Sequence, residues 1–254
     1  MMGSFLDMQA YVGISKHIGG LPATKALLSL CHVENAREIL EVGCGIGVGP
    51  VLLARKTAAH VVAVDISEKM VEWARQRARE GRLEDRIELR VADARDLPFE
   101  AGRFDVVLCE SVLGFVDDKE RAVRELVRVT KLGGRVGINE SLWIEGLRPE
   151  TEELARDLGV ELLGAAEWQA LLERVGLHDL VVRLRRIDPA AEVRSRLRWI
   201  GLPAAVRGWG RALRLYLASP ATREMIRSFF GGGTRSLEYT AYGLFVGRKA
   251  DGGA

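Results

Sequence analysis

The sequence predicts a doubly wound α/β fold, an open and largely parallel sheet with helices on both faces. Three observations carry that prediction. Short β-branched apolar runs alternate with stretches of helical period from residue 38 to residue 185, the pattern of successive βαβ units. A glycine-rich loop, EVGCGIGVGP (41–50), directly follows the first of these runs. The acids Glu41, Asp65, Asp93, Glu110 and Glu140 fall at or near the ends of five successive runs, and ligands of open α/β sheets bind at the carboxyl ends of the strands. The right-handed crossover rule limits the topology to a doubly wound one.

Each element has its own signature. Residues 21–30, with Pro22 near the start, read as a short amphipathic helix. Residues 38–42 form an apolar strand feeding the glycine loop, and residues 48–56 the helix leaving it. HVVAVD (60–65) is a β-branched strand ending in an acid. In ISEKMVEWARQRARE (66–80), Ser67 is the N-cap, and Met70, Val71 and Ala74 share one face. A third strand spans 87–91 and a fourth is FDVVLCES (104–111). The helix over 118–130 turns Ala122, Val123, Leu126 and Val129 inward; Leu132-Gly133-Gly134 ends it, and a fifth strand covers 135–140. Helices over 151–158 and 167–175 and a sixth strand over 178–185 follow. Beyond residue 187 the pattern changes to arginine-rich helical stretches (191–200, 204–218, 221–230), broken by Pro189, Pro203, Pro220 and Gly231-Gly232-Gly233, before a last strand over 239–248.

Composition narrows the function classes. The 254 residues, 48% hydrophobic, suffice for one α/β domain with an elaboration. Only seven of the 37 basic residues are lysine, a bias that composition or thermal adaptation explains as readily as function. Cys31, Cys44 and Cys109 are widely separated, with no C-x-x-C and no histidine cluster, so no metal site and no disulfide framework is expected, and a reducing cytoplasm is. No signal peptide is visible. The most apolar stretch, 39–54, contains Glu41 and the glycines and is no transmembrane helix. Met2-Gly3 lacks the Ser or Thr of a myristoylation site, Asp7 standing there instead.

The loop itself chooses among ligands. A phosphate-binding P-loop needs G-x-x-x-x-G-K-[ST], and the Lys-[ST] pair is missing. A dinucleotide fingerprint needs G-x-G-x-x-G, but the third glycine would be Val48 or Pro50. What the loop matches is [DE]-x-G-x-G-x-G, as Glu41, Gly43, Gly45 and Gly47. With Asp65 ending strand two, ISEKMVEWAR after it, Asp93 ending strand three, FDVVLCES as strand four and LGG before strand five, the chain resembles class I S-adenosylmethionine-dependent methyltransferases over about residues 35–185. The closest likeness is to the small-molecule branch of quinone-biosynthesis, sterol, phospholipid and arsenite enzymes.

The resemblance implies a Rossmann-like seven-stranded sheet whose last strand is antiparallel, with a helical insertion before it. It implies S-adenosylmethionine as cofactor and no metal. The glycines let the methionine portion lie against backbone, with Cys44 in the same loop, and Glu41 organises its amino end. Asp65 accepts the ribose hydroxyls. Ile66, with Met70, packs on adenine, Asp93 takes the adenine amino group and Ala94 lines its edge. Asp93 as a turn residue and Met70 as ordinary core remain the plain alternatives. Glu110 and Ser111 stand where the sulfonium lies. Methyl transfer from a sulfonium depends mainly on positioning and desolvation, and a base is needed only where the acceptor must lose a proton. His17, Glu110 and Glu140 are the candidates, His17 being equally readable as a surface or capping residue.

The turn after strand four, ESVLGFV, lacks the proline of the N/D-P-P-Y turn found in enzymes acting on amides and exocyclic amines, so those acceptors lose weight; the aromatic-histidine turn is missing too, with Gly114-Phe115 in its place. The substrate-binding cysteines of arsenite enzymes are incomplete. Expected pocket residues are Tyr11, Ser111, Phe115, Trp143, Trp199 and Trp209. Four regions follow: a cap segment and helix (1–34), the methyltransferase core (35–186), the helical insertion (187–236), and a terminal strand with a short tail (237–254). Near the N-terminus, YVGISKHIGG (11–20) is either a cap over the cofactor, through Tyr11, His17 and Gly20, or a plain linker.

In the insertion, Arg207, Arg211 and Arg214 recur at helical spacing, while Val206, Trp209, Leu213 and Tyr216 line another face. Three uses compete: a substrate lid with its apolar residues inward and its arginines in water, a homodimer interface, and a membrane-surface helix. The expected reaction is methyl transfer to a small, rather hydrophobic, lipid-like acceptor, with no nucleic acid. The rivals are an RNA or protein methyltransferase on the same fold, a non-catalytic binding protein that keeps the fold, and, more distantly, a nicotinamide dehydrogenase.

Overall fold

A computed structural model of the chain describes residues 5–13, 18–143, 160–186, 202–218, 223 and 240–250. In chain order the elements are α1 (Phe5–Val12), α2 (Gly20–Leu30), β1 (Glu38–Val42), α3 (Val48–Lys56), β2 (His60–Asp65), α4 (Glu68–Glu80), β3 (Ile87–Val91), β4 (Phe104–Glu110), α5 (Lys119–Val129), β5 (Thr130–Trp143), α6 (Ala165–Arg174), β6 (Leu177–Arg186), α7 (Leu202–Ala218) and β7 (Thr240–Lys249). They form one seven-stranded sheet of order β3-β2-β1-β4-β5-β7-β6. The pairs β3–β2, β2–β1, β1–β4 and β4–β5 are parallel, and β7 runs antiparallel to both β5 and β6.

Burial on both faces explains why the strands read as continuous apolar runs rather than alternating ones. Leu40, Val62 and Val107 face one side and pack with Leu126 of α5 and Trp168 of α6. Their neighbours Ile39, Val61, Val106 and Leu108 face the other side and pack with Leu27 of α2 and Leu53 of α3. The topology switch lies between the parallel strands β1 and β4, whose following connections run to opposite sides of the sheet, and the carboxyl ends there open the crevice that such folds use. Register also fixes the insertion. Trp143 of β5 pairs with Thr240, and Arg186 of β6 with Ala241, so the chain leaves β6 and re-enters β7 at that same end of the sheet.

Three departures from the sequence reading have identifiable causes. Helix α1 carries no strong local signal; its last carbonyls are satisfied from elsewhere, Ala10 O by Trp73 Nε1 at 3.0 Å and Val12 O by Arg211 Nε and Nη2 at 2.8 and 2.6 Å. Helix α5 stops at Val129, before the Leu132-Gly133-Gly134 stop, because Thr130 already pairs with Phe104; a register shift between Phe104 and Val106 absorbs the extra residues.

The orientation of α7 reverses the lid geometry. Val206, Trp209 and Leu213 are 62%, 65% and 58% exposed, whereas Arg211, expected in water, is partly buried over the Trp73 ring. Trp209 is not among the residues that line the cleft over the sheet's carboxyl ends. The helices expected over 151–158, 191–200 and 221–230 (Arg223 apart), together with His17 and Trp199, lie outside the described residues, as does the Trp143 side chain.

Candidate active site

A cleft lies over the carboxyl ends of β1, β2, β3 and β4, enclosing about 1040 Å³ with its open mouth. Drug-sized ligand pockets run to roughly 300–1,000 Å³. One wall is made by Gly43, Gly45, Asp65 and Ile66, another by Asp93 and Ala94, and the far end by Glu110, Ser111 and the turn after β4.

Asp65 does two jobs at the tip of β2. Its Oδ2 accepts the Gly45 N–H and its Oδ1 the Ser67 N–H, both at 2.9 Å, so one carboxylate staples the glycine loop to the start of α4. Burial raises its pKa, and these two N–H groups oppose the rise. Beside it Ile66 is 60% exposed, an apolar surface held in the cleft. Met70 and Ala94 complete that wall and are themselves buried. Asp93 turns its carboxylate onto Arg95, with the Nη2–Oδ2 pair at 2.7 Å, and this contact holds its pKa below the usual value.

Around the glycines, closeness of packing is as important as access for a ligand. A Cβ on Gly43 would stand 2.0 Å from Val112 Cγ2, and one on Gly47 2.6 Å from the Ala74 Cα; both residues have φ of +80°. Gly47 is thus required by α4 rather than by the cleft, which it does not line. Cys44 is likewise buried beneath the loop against Ala63 and Ala74, so its expected place among the cleft residues is corrected.

Glu41 is buried with Oε1 facing Gly49, where a Cβ would lie 2.1 Å away, and its Oε2 has no hydrogen-bond partner among the described residues. Burial, helped by the Glu110 carboxylate, raises its pKa well above the usual range. An orphaned carboxylate oxygen behind the loop is the kind of group a ligand's ammonium or hydroxyl would satisfy.

The far end holds a network that the sequence showed only in part. Glu110 Oε2 accepts from Thr24 Oγ1 and Asn139 Nδ2, each at 3.0 Å. Asn139 Nδ2 also donates to Ile18 O at 2.9 Å, and the Ile18 N–H donates to Ser111 Oγ at 2.9 Å. Ser111 sits at φ +58°, a conformation uncommon outside glycine, with its N–H donated to Asn139 O at 2.7 Å. These contacts strap the chain before α2 across the ends of β4 and β5. Asn139 and Thr24, polar residues inside apolar elements, were the available signals. Gln9 of α1 also lines the cleft, whereas Tyr11, the residue expected there, is 43% exposed and does not.

Glu140, expected beside the cleft as a proton acceptor, is 2% exposed and lies behind it. Its Oε1 accepts the N–H groups of Val112 and Leu113 at 2.8 and 2.7 Å, holding the turn that carries Phe115 and Val116 into the cleft. Burial pushes its pKa up to about 7, although those N–H groups and Lys119 oppose the shift. A pKa raised in the folded state stabilises below the unfolded value and loses that contribution as pH rises through the folded one, here between about 4.5 and 7. On the order of 3 kcal/mol is at stake. Thermal melts across that window are expected to fall more steeply for the wild type than for Glu140→Gln; parallel curves would show that Glu140 does not titrate there.

Residues 40–138 match the family described as methyltransferase domain. The chain is 31% identical to the 27-O-demethylrifamycin SV methyltransferase of Amycolatopsis mediterranei (strain S699), over 61% of this chain and 58% of that one. The chain carries a class I S-adenosylmethionine-dependent methyltransferase domain. It spans about half the length of the curated relatives it matches. Among solved structures, phosphoethanolamine N-methyltransferase 2 of Haemonchus contortus, in complex with phosphomonomethylethanolamine and S-adenosylhomocysteine, aligns with a TM-score of 0.74 at 19% identity, covering 96% of this chain and 57% of that one. The [4+2]-cyclase SpnF aligns with a TM-score of 0.75 at 20% identity, covering 97% and 93%. At such identities these likenesses bear on fold alone.

The cleft of this methyltransferase domain fits S-adenosylmethionine. It offers backbone at Gly43 and Gly45, a carboxylate at Asp65 and an apolar surface at Ile66, with the orphaned Glu41 oxygen buried behind the glycine loop rather than on the cleft wall. No group of three or more metal-ligating side chains occurs among the described residues.

Proposed function

We propose that the protein transfers the methyl group of S-adenosylmethionine to a small, rather hydrophobic acceptor. The observation that carries the acceptor class is the far wall of the cleft. Beyond Glu110 and Ser111 it is built from Val112, Phe115 and Val116, side chains that reward apolar contact, with Asp117 next to them as the acid of that wall. When bound, the cofactor supplies a methyl group on a positively charged sulfur, which an acceptor lone pair takes as the carbon–sulfur electrons return to sulfur.

The chain's own part is to bind, orient and exclude water. Glu41, Asp65, Ile66, Met70, Asp93 and Ala94 would hold the cofactor. The strap formed by Ile18 with Ser111 and Asn139 would fix the end where transfer occurs. Glu110 is the proton acceptor best placed for an acceptor that must lose a proton, since it lines the cleft while Glu140 does not. A lipid-like acceptor suits the same apolar wall. A reducing, cytoplasmic setting is supported by three free, buried cysteines; among the described residues no helix is long and apolar enough to cross a membrane.

A second reading, a protein that keeps the fold for chemistry other than methyl transfer, draws on the whole-chain likeness to SpnF. Labelled S-adenosylmethionine and a panel of hydrophobic alcohols, phenols and amines separate the two. Transfer of label with stoichiometric S-adenosylhomocysteine supports the first reading. Tight cofactor binding with no transfer to any acceptor favours the second.

A further inference from the structure

Helix α7 presents a face that neither the cleft nor the core uses. Val206, Trp209, Leu213 and Leu217 are spaced three, four and four residues apart, so they form one stripe, and they are 62%, 65%, 58% and 66% exposed. The opposite face is the packed one: Leu215 is buried, and Arg211 is held by the Val12 carbonyl and the Trp73 ring. The stripe therefore points directly away from the protein, and isolated exposed apolar residues are not what is seen here.

Charge selects the occupant. The 17 residues of α7 include Arg207, Arg211 and Arg214 and no acid. Arg207 and Arg211 share a small hollow with Arg77 of α4, where Glu80 is the one lining carboxylate among the described residues. The positive charges repel one another there: Arg207 contributes to lowering the pKa of both Arg77 and Arg211. Between Arg183 and Arg235 the sequence holds twelve arginines against three acids. A second copy of this chain would bring an equally acid-free helix to the contact, leaving the arginines unpaired. An anionic lipid surface supplies the missing charge as headgroups and the missing apolar partner as acyl chains.

We infer that α7 is an interfacial helix that docks the protein on anionic phospholipid membranes, seating Val206, Trp209, Leu213 and Leu217 at the acyl boundary with Arg207 and Arg214 among the headgroups. The docked helix lies one layer from the cleft, because α1, on which it packs, carries Gln9 into the cleft wall. A lipid-like acceptor would thus be met at the surface where it resides. The inference goes beyond the methyl-transfer reading and is tested by partitioning, not turnover, so either can fail without the other.

The full chain is sedimented with vesicles of equal parts phosphatidylcholine and phosphatidylglycerol, and with pure phosphatidylcholine. Binding to the mixed vesicles is expected, weakened by salt and at least about tenfold weaker on pure phosphatidylcholine, as loss of two arginine contacts implies. The double variant Trp209→Glu with Leu213→Glu alters side chains that are more than half exposed, and is expected to remain in the supernatant. Arg207→Glu with Arg214→Glu is expected to lose the preference for anionic vesicles. A wild type that does not sediment would overturn the inference, and so would a glutamate variant that sediments unchanged. Light scattering that finds a wild-type dimer made monomeric by Trp209→Glu with Leu213→Glu, without vesicle binding, would assign the face to a homodimer instead.

Discussion

Asp65→Ala is expected to lower the affinity for S-adenosylmethionine by about 10²–10⁴-fold, and kcat/KM with it. The size follows from what the side chain holds. Its two oxygens accept the Gly45 and Ser67 N–H groups inside the protein while the same carboxylate lines the cleft. Hydrogen bonds to a charged group contribute about 1.5–3 kcal/mol each, and each 1.4 kcal/mol is roughly tenfold. Removing the carboxylate therefore costs the ligand its acceptor and releases the glycine loop from α4. Asp65→Asn separates little of this, because an amide nitrogen would face one of the two N–H donors. Equilibrium binding of labelled cofactor provides the check; a loss under about fivefold would mean that Asp65 serves the loop and not the ligand.

Gly47→Ala is expected to carry the largest stability cost of any single methyl group in the glycine loop. The new Cβ would lie 2.6 Å from the Ala74 Cα and 2.7 Å from its Cβ, at a residue whose φ is +80°. The left-handed conformation costs an alanine about 1–2 kcal/mol, and forcing a methyl against helix backbone adds about 1–3 kcal/mol. For a chain of this size that corresponds to a fall in Tm of roughly 5–15 °C. Since Gly47 does not line the cleft, the loss of binding should follow from displacement of the loop. An unchanged melting temperature would show that the loop and α4 are not packed as described.

Much of the core was legible because local and tertiary demands coincide there. The strand run HVVAVD is apolar on both faces since both faces are covered, and Ser67 caps α4 as its place before an amphipathic run implies, its Oγ accepting the Met70 N–H at 3.4 Å. The acids were legible as a set but not in their roles. Glu110 and Glu140 are alike in sequence, near the ends of adjacent strands, yet one lines the cleft and the other is buried beneath a turn. That difference arises from where the turn after β4 folds, which no spacing encodes.

The ends of the chain were harder to read for a related reason. The carbonyls of α1 are capped by Trp73 and Arg211, residues 63 and 199 positions away, so nothing local marks the helix. In α7 the helical period was readable, but the direction of its apolar face was not. Arg211 turns inward because a buried carbonyl and an indole ring accept it, leaving the hydrophobic stripe outside. Amphipathicity shows that a helix has two faces; only the partners decide which one is covered.

The most direct test of the central claim is a calorimetric titration of the full chain with S-adenosylhomocysteine. One site per chain, lost in Asp65→Ala and indifferent to NAD, is the predicted result. Absence of any heat at ligand concentrations up to about 1 mM, where even weak specific binding is detected, would contradict it.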